Sequence, residues 1–275
     1  SEAGGLRARE ARDIQRVRHD LRFRTLTVAA VQDLTPSLRR VVLEGPELDG
    51  FVSLGFDDHV KIFPAAEGEA AVLPTLGPDG PIFPEPRPAM RDYTPRAFDP
   101  TTNRLTLDFV TGHGGPATEW AMAARPGATL GVGGPRGSFV VPTDYADHVL
   151  IGDETALPAI ARRLEELPPQ ARAHAVIEVG TFADRIALDS PARATVTWAM
   201  RDGAPRGESQ ALLKAAETAL AGVDPTDAYV WIAAEATAAK ALRARALDLG
   251  FSPKAMKAAG YWRLDTAGGE KISLD

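Results

Sequence analysis

The most constraining feature of this sequence is a change of hydrophobic period near residue 145. Before it, apolar and β-branched residues come in short runs at 26–31, 38–43, 59–63, 91–97 and 105–110. Short strands at this spacing build a barrel or a sandwich. A single helix is expected in this half, at 116–124, because Pro116 suits a first turn that needs no N–H partner and Arg125-Pro-Gly127 stops it. Strands at 129–132 and 139–141 follow. After the change, strand-like runs at 148–151, 175–179, 195–198 and 229–234 alternate with helical spacing over 156–167, 208–220 and 237–249. Alternation of that kind predicts a parallel sheet covered by helices. The expected fold class is an antiparallel β-barrel followed by an α/β domain. The expected organisation is an N-terminal arm (1–21), a barrel domain (22–145), an α/β domain (146–264) and a polar C-terminal tail (265–275). Residues 64–90, crowded with proline and glycine, read as a loop or insertion.

Composition removes several classes of function. A net charge of -6 is a poor basis for binding nucleic acid, which calls for a strong basic stripe. The chain has no cysteine, which excludes disulfides, thiol nucleophiles and cysteine-held iron–sulfur clusters and suits a reducing compartment. Its five histidines lack ligand spacing, so no metal site is expected. No run of about 18 apolar residues predicts a membrane-spanning helix, and no apolar signal-peptide core stands at the N-terminus. Arg7, Arg9, Arg12, Arg16, Arg18, Arg22 and Arg24 form a basic segment interrupted by Glu10, Asp13 and Asp20. It reads as a solvated helix, with a nucleic-acid arm as the alternative. Residues 1–5 read as a flexible tail.

Two motifs carry chemistry. In Arg91-Asp-Tyr93-Thr94-Pro-Arg96, a strand puts residues 91 and 93 on one face and 94 on the other. Arg91 offers a planar fork to phosphate, Tyr93 a flat ring, and Thr94 a small hydrogen-bonding group. In His113-Gly-Gly115-Pro-Ala-Thr118, glycines open the backbone to a pyrophosphate just ahead of a helix N-terminus. Taken singly, the first could be an exposed strand and the second a plain helix cap. Their order, about twenty residues apart, fits the R-x-Y-[ST] and G-x-x-[ST] pair of ferredoxin-reductase-like flavoproteins. Gly131-Val-Gly133 is not a dinucleotide fingerprint, since Pro135 and β-formers follow it. With Gly134-Pro-Arg136-Gly-Ser-Phe139 it reads as a barrel turn.

The sequence resembles the siderophore-interacting proteins, FAD-binding members of that superfamily. The resemblance rests on Asp57-Asp-His-Val-Lys-Ile-Phe-Pro64, Arg91-Asp-Tyr-Thr-Pro-Arg96, Gly114-Gly-Pro-Ala117, Gly134-Pro-Arg-Gly-Ser138, Gly152-Asp-Glu-Thr-Ala-Leu-Pro-Ala159 and Gly260-Tyr-Trp-Arg263, in family order over about residues 22–264. It implies an FAD-dependent ferric-siderophore reductase that releases Fe(II) in the cytoplasm. It implies flavin contacts from Arg91, Asp92, Tyr93 and Thr94, and pyrophosphate contacts from His113, Gly114, Gly115, Ala117 and Thr118. Asp153, Thr155 and Ala156, in the turn where a nicotinamide would dock, and Trp262, with Tyr261 beside it, complete the expected cofactor site. The acids of that turn would oppose an incoming pyrophosphate, which leaves NADH, NADPH and reduced ferredoxin open as donors. Lys61, Arg136 and Arg263, with Lys257 and Arg243 in reserve, are implied to hold the anionic chelate. No acid–base catalyst is expected, because the flavin itself bridges two-electron donor and one-electron acceptor. The alternatives are a general flavin or quinone reductase, which would not need a convergent basic pocket, and a non-catalytic siderophore-binding protein, which would not need the flavin motif.

Overall fold

A computed structural model describes residues 12–264 and the short strand at 272–273. Leu26 and Val28, Val41 and Leu43, and Leu105, Leu107 and Phe109 recur at every second position, and all are buried. Period two places each set on one face of its strand, and the shared core they form curls the sheet around itself. The strands are β1 (Gln15–Arg18), β2 (Phe23–Thr35), β3 (Leu38–Glu44), β4 (Val60–Phe63), β5 (Thr75–Gly77), β6 (Gly80–Ile82), β7 (Arg91–Tyr93), β8 (Ala97–Asp99) and β9 (Arg104–Val110). Helix α1 (Pro116–Ala123) follows, then β10 (Thr129–Gly133) and β11 (Gly137–Val140). Seven of these strands form a barrel-like antiparallel sheet in the order β7-β4-β10-β2-β3-β9-β8. Trp120 and Ala121 of α1 close one side of its core.

The second half alternates as its periodicity requires: β12 (Asp147–Gly152), α2 (Leu157–Glu166), β13 (Arg172–Val179), β14 (Arg193–Met200), α3 (Ala211–Ala221), β15 (Ala228–Glu235), α4 (Ala236–Asp248), β16 (Met256–Trp262) and β17 (Ile272–Ser273). The sheet order is β14-β13-β12-β15-β16-β17, parallel except for the last strand. Strand order reverses at β12, so the carboxyl ends of β12 and its neighbours frame a crevice of the kind that binds ligands in open α/β sheets. Gly152 ends β12 where helix and strand meet most closely: a Cβ there would lie 2.4 Å from the Cβ of Ala156 and 2.6 Å from the carbonyl oxygen of Ala233.

The two halves are pinned together. One apolar cluster runs from Leu38, Phe56 and Val110 of the first half to Leu157, Ile160, Trp231 and Tyr261 of the second. Asp57, buried at the seam, accepts hydrogen bonds from Trp231 Nε1 at 3.1 Å and Lys257 Nζ at 2.7 Å. Arg96 grips Glu165 with two nitrogens, at 2.5 and 3.0 Å. Such multiple, partly buried ties across a seam hold two units as one.

Three expectations change. The arginine-rich segment is not a helix from residue 12 onward: Gln15–Arg18 pairs with β11, and its guanidiniums act as clamps. Arg12 bridges Asp144 and Asp227, at 3.2 and 2.5 Å, while Arg24 is 3% exposed and donates to the carbonyl of Glu47 at 2.7 Å. Ladder pairing and filled arginine forks outweigh the helical spacing of a segment with few apolar residues. Residues 64–90 are not wholly irregular, because a tight turn between Gly77 and Gly80 joins the hairpin β5–β6. The expected strand over 91–97 is two strands, since Pro95 cannot donate to a ladder. Residues 1–11, and the expected tail apart from Ile272–Ser273, lie outside the described residues.

Candidate functional site

A cleft lined by residues of both halves lies where the barrel meets the carboxyl edge of the parallel sheet. The first wall is strand β7 and its exit. Arg91 stands in register with Ile62 and Tyr93 with Val60, so both project from the same face toward the cleft. Arg91 Nη1 donates to the carbonyl of Met90 at 2.8 Å, while its Nε is buried and has no partner. The Tyr93 ring leans on Phe109, centroids 4.5 Å apart. Burial pushes its phenol up to about 12, so it stays neutral. Thr94 is buried and lines the same wall.

The floor is the turn from β9 into α1. Gly114 and Gly115 have φ of 70 and 96°, values that L side chains rarely adopt, and a Cβ on either would meet nothing within 4 Å. The backbone is therefore bare to the cleft. Pro116 has no N–H to satisfy, and α1 closes its first turn from Glu119 to Gly115, which leaves the N–H groups of Ala117 and Thr118 unspent. The Thr118 hydroxyl spends its proton on the carbonyl of Val110 at 3.2 Å, so its backbone N–H is the donor left for an anionic ligand. His113 Nε2 is buried without a partner, and burial, with the charge of Arg206 next, brings the imidazole down to about 4.

The far wall comes from the α/β half. Trp262 meets His113 edge-on at 4.8 Å and donates Nε1 to Asp153 at 2.7 Å. Asp153 also accepts from the backbone and hydroxyl of Thr155, at 2.9 and 2.5 Å. Burial, reinforced by the charge of Glu154, raises its carboxyl above the usual range. Glu154 is held by both terminal nitrogens of Arg201, at 2.6 and 3.1 Å, and Arg201 reaches Glu178 at 3.2 Å.

Of the expected cofactor residues, Arg91, Asp92, Tyr93, Thr94, His113, Gly114, Ala117, Thr118, Thr155 and Trp262 line this cleft. Gly115 caps α1 beside it, and Asp153 reaches it only through Trp262 and Thr155. Ala156 is fully buried between β12 and α2. Sequence reasoning missed Asp108, Val110 and Pro158. Asp108 is engaged by both arms of Arg40, at 2.8 and 3.0 Å, a pairing across β3 and β9 that no local spacing announces.

The basic residues gather less completely. Lys61 pairs with Asp92 at 2.8 Å and Lys257 with Asp57 at 2.7 Å. Burial first, then the charges of Asp57, Asp92 and Asp153, raise the phenol of Tyr261. Arg136 lies three residues past Gly133, the strand partner of Lys61, and is exposed. Arg263 is exposed and Arg243 half-buried, and neither forms an ion pair among the described residues. None of the five lines the cleft itself.

The fit to a flavin dinucleotide follows from these atoms: bare glycine backbone, unspent helix N–H groups, unpartnered nitrogens on Arg91 and His113, and a ring wall at Tyr93. Comparison with known proteins agrees. Residues 27–139 match the model of the siderophore-interacting FAD-binding domain, and residues 145–265 match that of the siderophore-interacting protein. The chain is similar to the NADPH-dependent ferric-chelate reductase of Escherichia coli K12, 40% identical over 252 residues, which cover 90% of this chain and 96% of that one. It is similar in structure to a siderophore utilization protein from T. fusca, with a TM-score of 0.86, 38% identity, and 94% and 99% of the two chains covered. The siderophore-interacting protein SipS from Aeromonas hydrophila follows, with a TM-score of 0.72, 31% identity, and 89% and 93% covered. The chain belongs to the siderophore-interacting protein family.

Proposed function

We propose that this protein is an FAD-dependent reductase of ferric siderophores that draws its electrons from NADPH. The observation that carries the reading is the cleft, where a ring wall, a bare glycine turn and the carboxyl edge of a parallel sheet meet in one space. The 40% identity to an NADPH-dependent ferric-chelate reductase supplies the donor and the acceptor class.

When bound, FAD supplies the conversion between a two-electron hydride donor and a one-electron ferric acceptor. The chain's part is to bind and to orient. Tyr93 and Thr94 hold the ring end, with the fork of Arg91 and the backbone of Gly114, Gly115, Ala117 and Thr118 at the diphosphate. The turn Asp153–Ala156 forms the donor's side of the cleft, with Asp153 fixing the indole of Trp262. Lys61 meets the anionic chelate and Arg136 and Arg263 extend its positive edge, with Lys257 and Arg243 in reserve. A chelate held this way exposes its iron to electron transfer without a protein ligand, and no proton donor is required. Ferrous iron binds hard oxygen chelators more weakly than ferric iron, so reduction releases it. The units are a barrel domain over 22–145 and an α/β domain over 146–264, a division supported by their separate sheets. The cytoplasm is the proposed compartment, and reduced ferredoxin is the alternative donor.

The test is the visible spectrum of the purified protein under anaerobic conditions. Flavin bands that bleach with NADPH and return with a ferric siderophore, with Fe(II) captured by a ferrous chelator, are the expected result. Bleaching only by reduced ferredoxin changes the donor. A colourless protein that takes up no FAD overturns the reading.

A further inference from the structure

We propose that Arg206, on the loop between β14 and α3, is a phosphate-binding residue of the cleft that recognises the diphosphate of a dinucleotide. The inference rests on the flavoprotein reading above. Nothing in the motifs points to Arg206, and the geometry does.

The Arg206 side chain crosses from the α/β half to the glycine turn of the barrel. Its Nη2 lies so close to Gly112 that a Cβ there would come within 2.8 Å of it. Its Nη1 is buried and has no hydrogen-bond partner. Glu154 is the one carboxylate it approaches among the described residues, and at 3.9 Å that contact is loose. Glu154 already gives both oxygens to Arg201. The positive charge of Arg206 is felt by His113, which lines the cleft beside Gly114. The next residue, Gly207, has a φ of 82° and packs against the strand end that carries Trp262: a Cβ there would lie 2.8 Å from Cδ1 of Leu264 and 3.2 Å from Cη2 of Trp262.

A guanidinium nitrogen withdrawn from water without an acceptor costs free energy. A chain has reason to keep such a donor where an anion will arrive. Here the donor stands behind the cleft lining, against Gly112 and next to His113, at the start of a glycine turn with bare backbone. The planar fork of arginine matches two oxygens of one phosphate group, which an ammonium cannot do. A diphosphate is the shared chemistry, and either the flavin or the nicotinamide donor brings one.

The experiment compares the full-length protein with Arg206→Gln and Arg206→Lys. FAD dissociation constants are measured on deflavinated protein by flavin fluorescence at low and high NaCl. NADPH KM values are measured on the FAD-saturated enzyme at the same two salt concentrations. If the flavin diphosphate is the ligand, Arg206→Gln weakens FAD about 10- to 100-fold and removes part of its salt dependence. If the donor's diphosphate is the ligand, the same loss appears in the NADPH KM and FAD binding is unchanged. Arg206→Lys keeps the salt dependence and recovers part of the affinity in either case. Unchanged constants for both dinucleotides, or weakening with salt dependence intact, overturn the assignment. A parent protein that binds no FAD overturns the flavoprotein reading as well, whereas a parent that binds FAD beside an unaltered Arg206→Gln overturns only the role of Arg206.

Discussion

Arg201 is the keystone of a buried charge cluster, and replacing it by methionine tests whether that cluster holds the cofactor turn. The guanidinium is 7% exposed and its partners Glu154 and Glu178 are 4% and 8% exposed. Arg201→Met removes three charge-assisted hydrogen bonds and leaves two carboxylates with their solvation gone. Removing one partner of a buried pair costs about 3–5 kcal/mol, because the remaining charge is uncompensated. The loss depends on pH, and its sign follows from Glu178. Burial already raises that carboxyl above its ordinary value, so its folded form favours the proton. Stability linked to a raised carboxyl is present at low pH and is lost as pH rises through the folded value. Loss of Arg201 raises it further. The variant is therefore most destabilised near pH 8 and recovers about 1.4 kcal/mol at pH 5 for each pKa unit of added shift. Urea unfolding at the two pH values, followed by the fluorescence of Trp198 and Trp231 in the α/β sheet, measures the difference. Neutralising all three residues, as Arg201→Met with Glu154→Gln and Glu178→Gln, restores most of the loss. A single variant within about 1 kcal/mol of the parent at pH 8 refutes the argument, since a surface pair would cost no more. So does a loss of equal size at both pH values.

Gly115→Ala forces a φ of 96° on a residue with a Cβ and covers bare backbone; a cost of about 1–2 kcal/mol is expected, read as weaker FAD binding by fluorescence titration. Tyr93→Phe leaves FAD binding and the pH profile of reduction unchanged, because the phenol near 12 is neutral throughout, while Tyr93→Ala removes the ring packed on Phe109 and lowers FAD retention on gel filtration. Lys61→Ala raises the KM for an anionic ferric chelate without lowering kcat, and leaves a neutral chelate unaffected, as steady-state assays would register. Burial depresses both His113 and His148 to about 4 from 6.5. Their contribution to stability is complete above about pH 6.5 and is lost as pH falls toward 4, so His148→Gln flattens the acid limb of a thermal-melt series.

What was legible in the sequence was whatever a repeating environment imposes. Period two in the barrel strands and the strand–helix alternation after residue 145 mark faces that must be buried, and the elements lie within a few residues of their expected positions. The Arg91–Thr94 and His113–Thr118 motifs were legible because each is a local backbone requirement. Strand β16 escaped: Met256–Trp262 mixes small and aromatic residues, and it becomes a strand by pairing with β15. The arginine segment was misread because its partners Asp227, Glu47 and Gly134 are far away in sequence. Asp108 reaches the site, and Arg206 the neighbouring Gly112, by long-range contacts for the same reason.

The acids of the β12–α2 turn bear on the choice of donor. As sequence, Asp153 and Glu154 set two negative charges where a nicotinamide pyrophosphate would arrive. In the fold, neither presents a bare charge to the cleft. Glu154 is neutralised by the Arg201 fork, with Arg206 at 3.9 Å behind it. Asp153 is buried, satisfied by Trp262 and Thr155, and shifted by burial toward its protonated form. The acids thus act as anchors: one fixes the aromatic wall, and the other gathers two arginines to the carboxyl edge of the sheet. A turn whose carboxylates are spent in this way leaves the Nη1 of Arg206, on the loop that follows β14, without a partner. Electrostatic repulsion therefore gives no reason to exclude a phosphate-bearing donor from this cleft.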